Sequence, residues 1–267
     1  MRKTLHRYAV IYHLFLKNSL IYMMEYRVNF MFGVLVEIGF LAIKLSYVYV
    51  VFRIGTDLNG LSPHNILLFI GTFTIMAGLY SALFFFNFNR FPELIRSGDL
   101  DIYVTKPVSL QFFTTLRMID ISFAVPNVIG GIVMVVIGWQ NSGISASIGH
   151  IAGFVLFIGI GVVLTYCIFL LPQLLAFWTV RTNGINDISN GLYDFNQMPM
   201  QIYHPYIQKA GTFLLPVFLT TNYSPMVALD RLGPVEWIWG IVSPILFLII
   251  VRLLWKLALR NYTSASS

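Results

Sequence analysis

The chain has 267 residues, 57% of them apolar and 10% charged, with mean hydropathy +0.76 and a formal net charge of +6. Soluble domains carry about 25% charged and about 45–50% apolar residues, so this composition excludes an ordinary water-soluble enzyme, and equally a disordered or fibrous chain. Lipid is the solvent that fits it, and nothing outside the apolar runs reaches the ~50 residues of a folded soluble domain.

Residues 4–25 read as a helix lying on the membrane surface. Leu5, Tyr8, Tyr12, Phe15, Leu16, Leu20 and Met23 recur at helical spacing, while Lys3, His6, His13 and Lys17 favour the other side. His6, His13, Lys17 and Glu25 interrupt any clean apolar core, and no small-residue cleavage site follows, so a removable signal is not expected. Span 1 is placed at 28–52. It contains Glu37 and Lys44, seven residues and therefore two turns apart on one face. Their separation along the axis, about 10 Å, is too long for a simple pair. Ionisable groups in hydrocarbon face protein or a water-filled cavity, and the long lysine stem also allows snorkelling.

Span 2 is placed at 66–86, after Pro63, His64 and Asn65. Residues 87–118 then form the most charged stretch, punctuated by Pro92, Gly98 and Pro107. It reads as a short helix at 91–96, a turn at 97–99 and a second short helix from about Val108. Too long for a hairpin turn and too short for a domain, it suits a protein contact. Span 3 is placed at 119–139, with Asp120 at its start and Pro126 as a tolerated internal kink. Span 4, 150–171, carries Gly153, Gly159 and Gly161 as a surface for close helix approach. Residues 179–205 read either as cytoplasmic helix and loop or as a stretch shielded in the bundle. Span 5, 206–221, has a core too short for a full crossing and Pro216 near its end. A broken helix or re-entrant hairpin explains both features. Span 6 is 235–257.

The expectation is therefore an all-α polytopic membrane bundle of six spans with an N-terminal interfacial helix. Six spans put both ends on one side. Fourteen of the seventeen basic residues then fall there, against Arg53 and Arg231 opposite, with Lys44 inside span 1. That bias places both termini and residues 87–118 in the cytoplasm. It also explains the positive charge better than nucleic-acid binding does.

Catalytic constellations are missing from the sequence. No GxSxG, HExxH, CxxC or GxxxxGK[ST] occurs. The five histidines are scattered, the single Cys167 forms no cluster, and Asp99 with Asp101 suits turn capping. Asn222-Tyr223-Ser224 and Asn261-Tyr262-Thr263 match the glycosylation pattern, the second on the wrong side for this topology.

The chain resembles the membrane subunits of ABC-2 type transporters, of the six-span kind whose ATPase is a separate polypeptide. Four features carry this. They are the N-terminal helix running into span 1, IRSGDLDIYVTKPVSLQFF at 95–113, FWTVR at 177–181 followed by MPMQIYHP at 198–205, and LPVFLTTNYSPMVAL at 215–229. Gly98, Leu100, Asp101, Lys106 and Pro107 fall on the family's own pattern, while Tyr103 and Val104 replace leucine-like positions.

The resemblance implies an export permease working by alternating access in a prokaryotic cytoplasmic (inner) membrane. ATP and Mg would be bound by a separate ATP-binding subunit, present in two copies, and this chain would hold no cofactor. A second permease subunit, the same or related, would complete the pathway, with membrane lipid around it. Coupling to the ATPase is expected at Arg90, Pro92, Glu93, Arg96, Gly98, Asp99, Asp101, Lys106 and Pro107. Glu37, Lys44, Tyr47 and Asn222 are the candidates to line the pathway. The competing readings are a non-transporting scaffold or immunity protein and an intramembrane enzyme, which needs Glu37 and Asp120 or a histidine in one cavity. An ion-driven carrier would show an inverted repeat.

Overall fold

The computed structural model describes residues 2–55, 60–179 and 183–262; Arg181 of FWTVR and Thr263 of the second glycosylation pattern lie outside them. Among the described residues, five helical stretches are long and apolar enough to cross a membrane: Arg27–Arg53, Pro63–Arg96, Ile121–Gln140, Ile148–Phe177 and Pro234–Arg260. The protein is a multi-pass, all-α helical bundle.

Helix α1 (Arg2–Glu25) runs almost directly into α2 (Arg27–Ile54). Phe15 is its buried anchor, stacked on Phe112 at 5.7 Å, and the Tyr8 hydroxyl accepts the Ser109 N–H at 3.0 Å. Apart from the stripe that contains Glu37, Leu41, Lys44 and Val48, α2 is exposed along its length. In a membrane protein that is a surface for lipid or another chain.

Helix α3 (Pro63–Tyr80) starts at Ser62, whose hydroxyl accepts the Asn65 N–H, with proline at the first helical position. It continues through a π turn, Ser81–Phe85, into α4 (Phe86–Arg96). At the π turn, Ala82 O accepts the Asp120 N–H at 3.0 Å. The expected short helix at 91–96 is thus the far end of one continuous helix, which runs 34 residues to Arg96. At 1.5 Å per residue it is about 50 Å long, well beyond a hydrocarbon core of about 30 Å.

Helices α5 (Leu100–Val104) and α6 (Leu110–Leu116) complete the charged stretch. Helix α7 (Ile121–Gln140) is capped by Asp120, whose carboxylate accepts the Ser122 N–H at 2.9 Å. It lies antiparallel to α3 in the closest packing of the molecule. A Cβ on Gly71 would meet Val135 N at 2.8 Å, and one on Gly131 would meet Gly71 O at 2.7 Å. Gly78 against Asn127 and Gly138 against Leu68 extend the seam. Without side chains, the two backbones approach to van der Waals contact, the usual basis of helix association in lipid. The glycines of the fourth span do less. In α8 (Ile148–Leu174), Gly153 meets Val227 and Gly161 meets Thr220 O, but Gly159 faces open space.

The stretch 183–228 reaches into the bundle at Ile185, Ser189, Asn196 and 216–228, which are buried, while 204–207 stay exposed. Helix α9 (Asn183–Asp194) places Tyr193 against Phe73 and Tyr80, at 5.4 and 6.0 Å, and brings Ser189 to Gln173 at 3.1 Å. The expected span at 206–221 is broken. Helix α10 (Pro205–Lys209) passes through a π turn, Ala210–Leu214, into extended Leu215 before Pro216. Helix α11 (Leu219–Ala228) then begins, and every one of its residues is buried despite the polar run Thr220 to Ser224. Irregular, polar backbone survives at membrane depth only when protein shields it. Here α3 and α8 do so. Helix α12 (Pro234–Arg260) lies beside α8, with Gly240 against Phe157.

Candidate coupling elbow and intramembrane bridge

The charged stretch folds as an elbow around an aromatic pin. Helix α4 buries Phe88, Phe91, Pro92 and Leu94 and leaves Arg90, Glu93 and Arg96 exposed. Phe91 lies against Trp255 of α12 at 5.4 Å and against Phe177 at 5.7 Å. Trp255 is 1% exposed. Pro92 is therefore a buried part of the scaffold. Glu93 and Arg96 pair with each other at 2.8 Å on the solvent face, a pair worth little to stability.

The elbow turns at Gly98, whose φ of +79° belongs to the left-handed region that glycine enters freely. Asp99 is exposed beyond it, and its N–H reaches Ser97 Oγ at 3.4 Å. Asp101 lies beside the Tyr262 phenol; burial and this carboxylate push that phenol up to about 12. Helix α5 presents Ile102 and Val104 outward, beside exposed Lys106 and Pro107.

Tyr103 is held in place through Arg117. The guanidinium donates to the Tyr103 hydroxyl at 3.0 Å and sits 5.6 Å over its ring and 5.2 Å over that of Phe113. That cation–π contact ties α5 to α6. Asn87, which seemed to end the apolar run, is 3% exposed. Its amide donates to Met118 O at 2.7 Å and accepts the Met118 N–H at 2.9 Å, clamping α4 to the approach to α7. The elbow is also held to α12 by Arg252, which donates to Gln111 at 2.9 Å.

The second site lies within the bundle. Glu37 and Lys44 share one face of α2, but their link is a third residue, Asn127 of α7, only 1% exposed. The Lys44 ammonium donates to Asn127 Oδ1 at 3.0 Å, and Asn127 Nδ2 donates to Glu37 Oε2. The amide thus spans a gap that the two charges cannot close directly. Asn127 Nδ2 also donates to Phe123 O at 2.9 Å, and Lys44 sits 5.4 Å over the Phe73 ring.

The other two pathway candidates lie elsewhere. Tyr47 is 56% exposed on the outer face of α2. Asn222 is buried in α11, where Oδ1 accepts the Met200 N–H at 2.8 Å and Nδ2 donates to Thr221. It fastens the chain around the break. Asp120 is engaged at the start of α7, two turns from Asn127, so it does not converge with Glu37. No group of three His, Cys, Asp or Glu suited to a metal occurs among the described residues.

Asn87 and Asn127 are the working residues that sequence reasoning passes over. The signal was present in both: an asparagine inside or at the rim of an apolar run is costly in lipid unless it is bonded.

A family model described as ABC-2 family transporter protein matches residues 38–266. No curated protein and no solved structure matches the chain. The match takes in the charged elbow, the broken stretch and α2 from Ile38 on, and leaves out α1, so the chain belongs to the ABC-2 transporter family.

Proposed function

We propose that the chain is the permease subunit of an ATP-driven exporter, with hydrolysis performed by a separate ATP-binding subunit in two copies and the pathway shared with a second permease chain. The observation that carries this reading is the continuous helix from Pro63 to Arg96, which joins the glycine-packed core to an exposed, charged elbow. A helix transmits displacement where a loose loop would absorb it. Pinned by Phe91 and turned at Gly98, the elbow presents Glu93, Arg96, Asp99, Ile102, Val104 and Lys106 as a mixed charged and apolar face. Such a face suits a partner protein.

On this reading the chain crosses six times, the fifth crossing being assembled from α9 and α11. Helix α1 rides on the inner membrane surface, and both termini lie in the cytoplasm by the basic-residue bias. The Glu37–Asn127–Lys44 bridge tethers α2 to α7 near the face that would meet a second permease chain. The substrate is a drug, peptide, lipid or polysaccharide, and no residue selects among these.

The test is to tag the chain in its native host and identify what co-purifies. An ATP-binding subunit is expected with the wild type, and its recovery should fall about tenfold with Arg96→Glu, the loss of one or two charge-assisted contacts. Equal recovery of the ATPase with both proteins removes the elbow as the docking face. Recovery of no such subunit removes the exporter reading.

A further inference from the structure

A cavity of about 660 Å³ lies between α1, the start of α2, α4 and the junction of α6 with α7. That is within the ~300–1,000 Å³ range of small-molecule sites. Much of its wall is aromatic, including Phe15, Tyr22, Phe86 and Phe123. Two guanidiniums, Arg90 and Arg117, also line it. Arg90 belongs to neither of the ion pairs Glu93–Arg96 and His150–Asp230. Arg117 commits one nitrogen to Tyr103. Against them stands one carboxylate, Asp120, whose Oδ1 already accepts from both the N–H and the hydroxyl of Ser122. The amides of Asn18 and Asn29 supply further donors.

Positive forks in a largely apolar chamber match a phosphate that carries hydrocarbon. The route for that hydrocarbon is visible. Phe32 and Val36 line the cavity and are also 62% and 52% exposed on the outer face of α2. The chamber is thus continuous with the exposed apolar face of α2, where lipid chains can lie. A free anion would use the arginines but not that apolar exit.

We propose that the cavity holds the phosphate head group of one anionic phospholipid, seated at Arg90 and Arg117, with its acyl chains leaving along α2 past Phe32 and Val36. The proposal rests on the reading that α1 lies at the membrane surface, and not on the transport reading. The lipid bridges α1, α4 and α7, and so stiffens the base of the elbow.

Native mass spectrometry of the delipidated full chain in detergent decides it, with equal phosphatidylglycerol and phosphatidylcholine offered. One phosphatidylglycerol per chain should be retained at about a tenfold preference, because the two guanidiniums repel the choline ammonium that phosphatidylcholine carries beside the same phosphate. Arg90→Gln with Arg117→Gln should abolish the preference. Asn18→Trp, which fills the chamber and keeps both arginines, should do the same and decides the matter alone if the double variant does not fold. Lys256→Gln with Arg260→Gln should leave the preference intact. Equal retention of the two lipids, or a preference that survives Asn18→Trp, overturns the proposal. So does full displacement by millimolar inorganic phosphate, which marks a free-anion site. Disulfide-linked dimers from Tyr22→Cys in a Cys167→Ser background also overturn it, since they mark a seam between two copies. Binding in detergent does not read orientation, so its failure is separate from a failure of the membrane topology.

Discussion

Asn127 carries more of the intramembrane chemistry than either charged residue it joins. Its amide presents a carbonyl to Lys44 and an N–H to Glu37, so both charges are bonded without touching. Replacement by leucine leaves a half-buried carboxylate and ammonium facing apolar side chains. Each unsatisfied group costs about 1–3 kcal/mol, so Asn127→Leu should lower the unfolding temperature in detergent clearly. The triple variant Glu37→Gln, Lys44→Met, Asn127→Leu should recover much of the loss, because no charge is then stranded. If Asn127→Leu unfolds at the wild-type temperature, the bridge contributes nothing. The common face of Glu37 and Lys44 was legible because seven residues is two turns. Their partner was not, because periodicity within one helix says nothing about which residue of another helix comes opposite. Tyr47, three residues from Lys44 and about 60° round the same helix, falls just outside the buried stripe and is exposed.

Helix packing follows where glycine meets backbone, not where glycines are most frequent. The run Gly153, Gly159, Gly161 pointed to the fourth span, yet the tightest seam joins Gly71 and Gly78 to Gly131 and Gly138. In each pair the spacing is seven, which keeps both glycines on one face. A side chain at Gly131 would strike Gly71 O at 2.7 Å and Ile75 N at 2.9 Å, both backbone atoms that cannot step aside. Gly131→Leu should therefore destabilise by more than the ~1–3 kcal/mol of ordinary overpacking, and the protein should be lost to aggregation on size exclusion. Gly159→Leu, with nothing within 4 Å, should elute as wild type. Similar behaviour of the two variants contradicts the seam.

The start of α7 falls within two residues of the expected one, with Asp120 at it, whereas α3 begins at Pro63, three residues before its expected start. The broken fifth segment was also foreshadowed by its short apolar core and Pro216. The reading missed the continuity across Asn87 to Arg90, where span 2 was ended at 86 and a separate short helix begun at 91. Burial of Asn87 against Met118 instead lets the helix run on. Sequence polarity does not distinguish a solvated loop from an amide with a private partner.

At the scale of the whole molecule, the bias of basic residues and the position of the elbow must agree. Single cysteines at Gly98 and Tyr262, in a Cys167→Ser background, should both resist a membrane-impermeant reagent in intact cells and react after permeabilisation. A cysteine at Ser145, in the exposed turn between α7 and α8, should react from outside. Labelling of either inner position from outside would reverse the topology. Tyr262 and Asp101 are neighbours, so the two inner positions cannot lie on opposite sides.

The π turn at Ser81–Phe85 sets the angular phase between the buried half of this molecule and its projecting half. A π turn closes its loop with one residue more than an α turn. It absorbs an insertion while the flanking helices keep their mutual rotation. Losing one residue there should leave the exposed residues of α4 aimed as they are, whereas losing Leu79 from the α-helical part would swing them about 100° around the axis. Of all positions in the Pro63–Arg96 helix, this bulge is the one where shortening the chain should spare the proposed recruitment of a motor subunit.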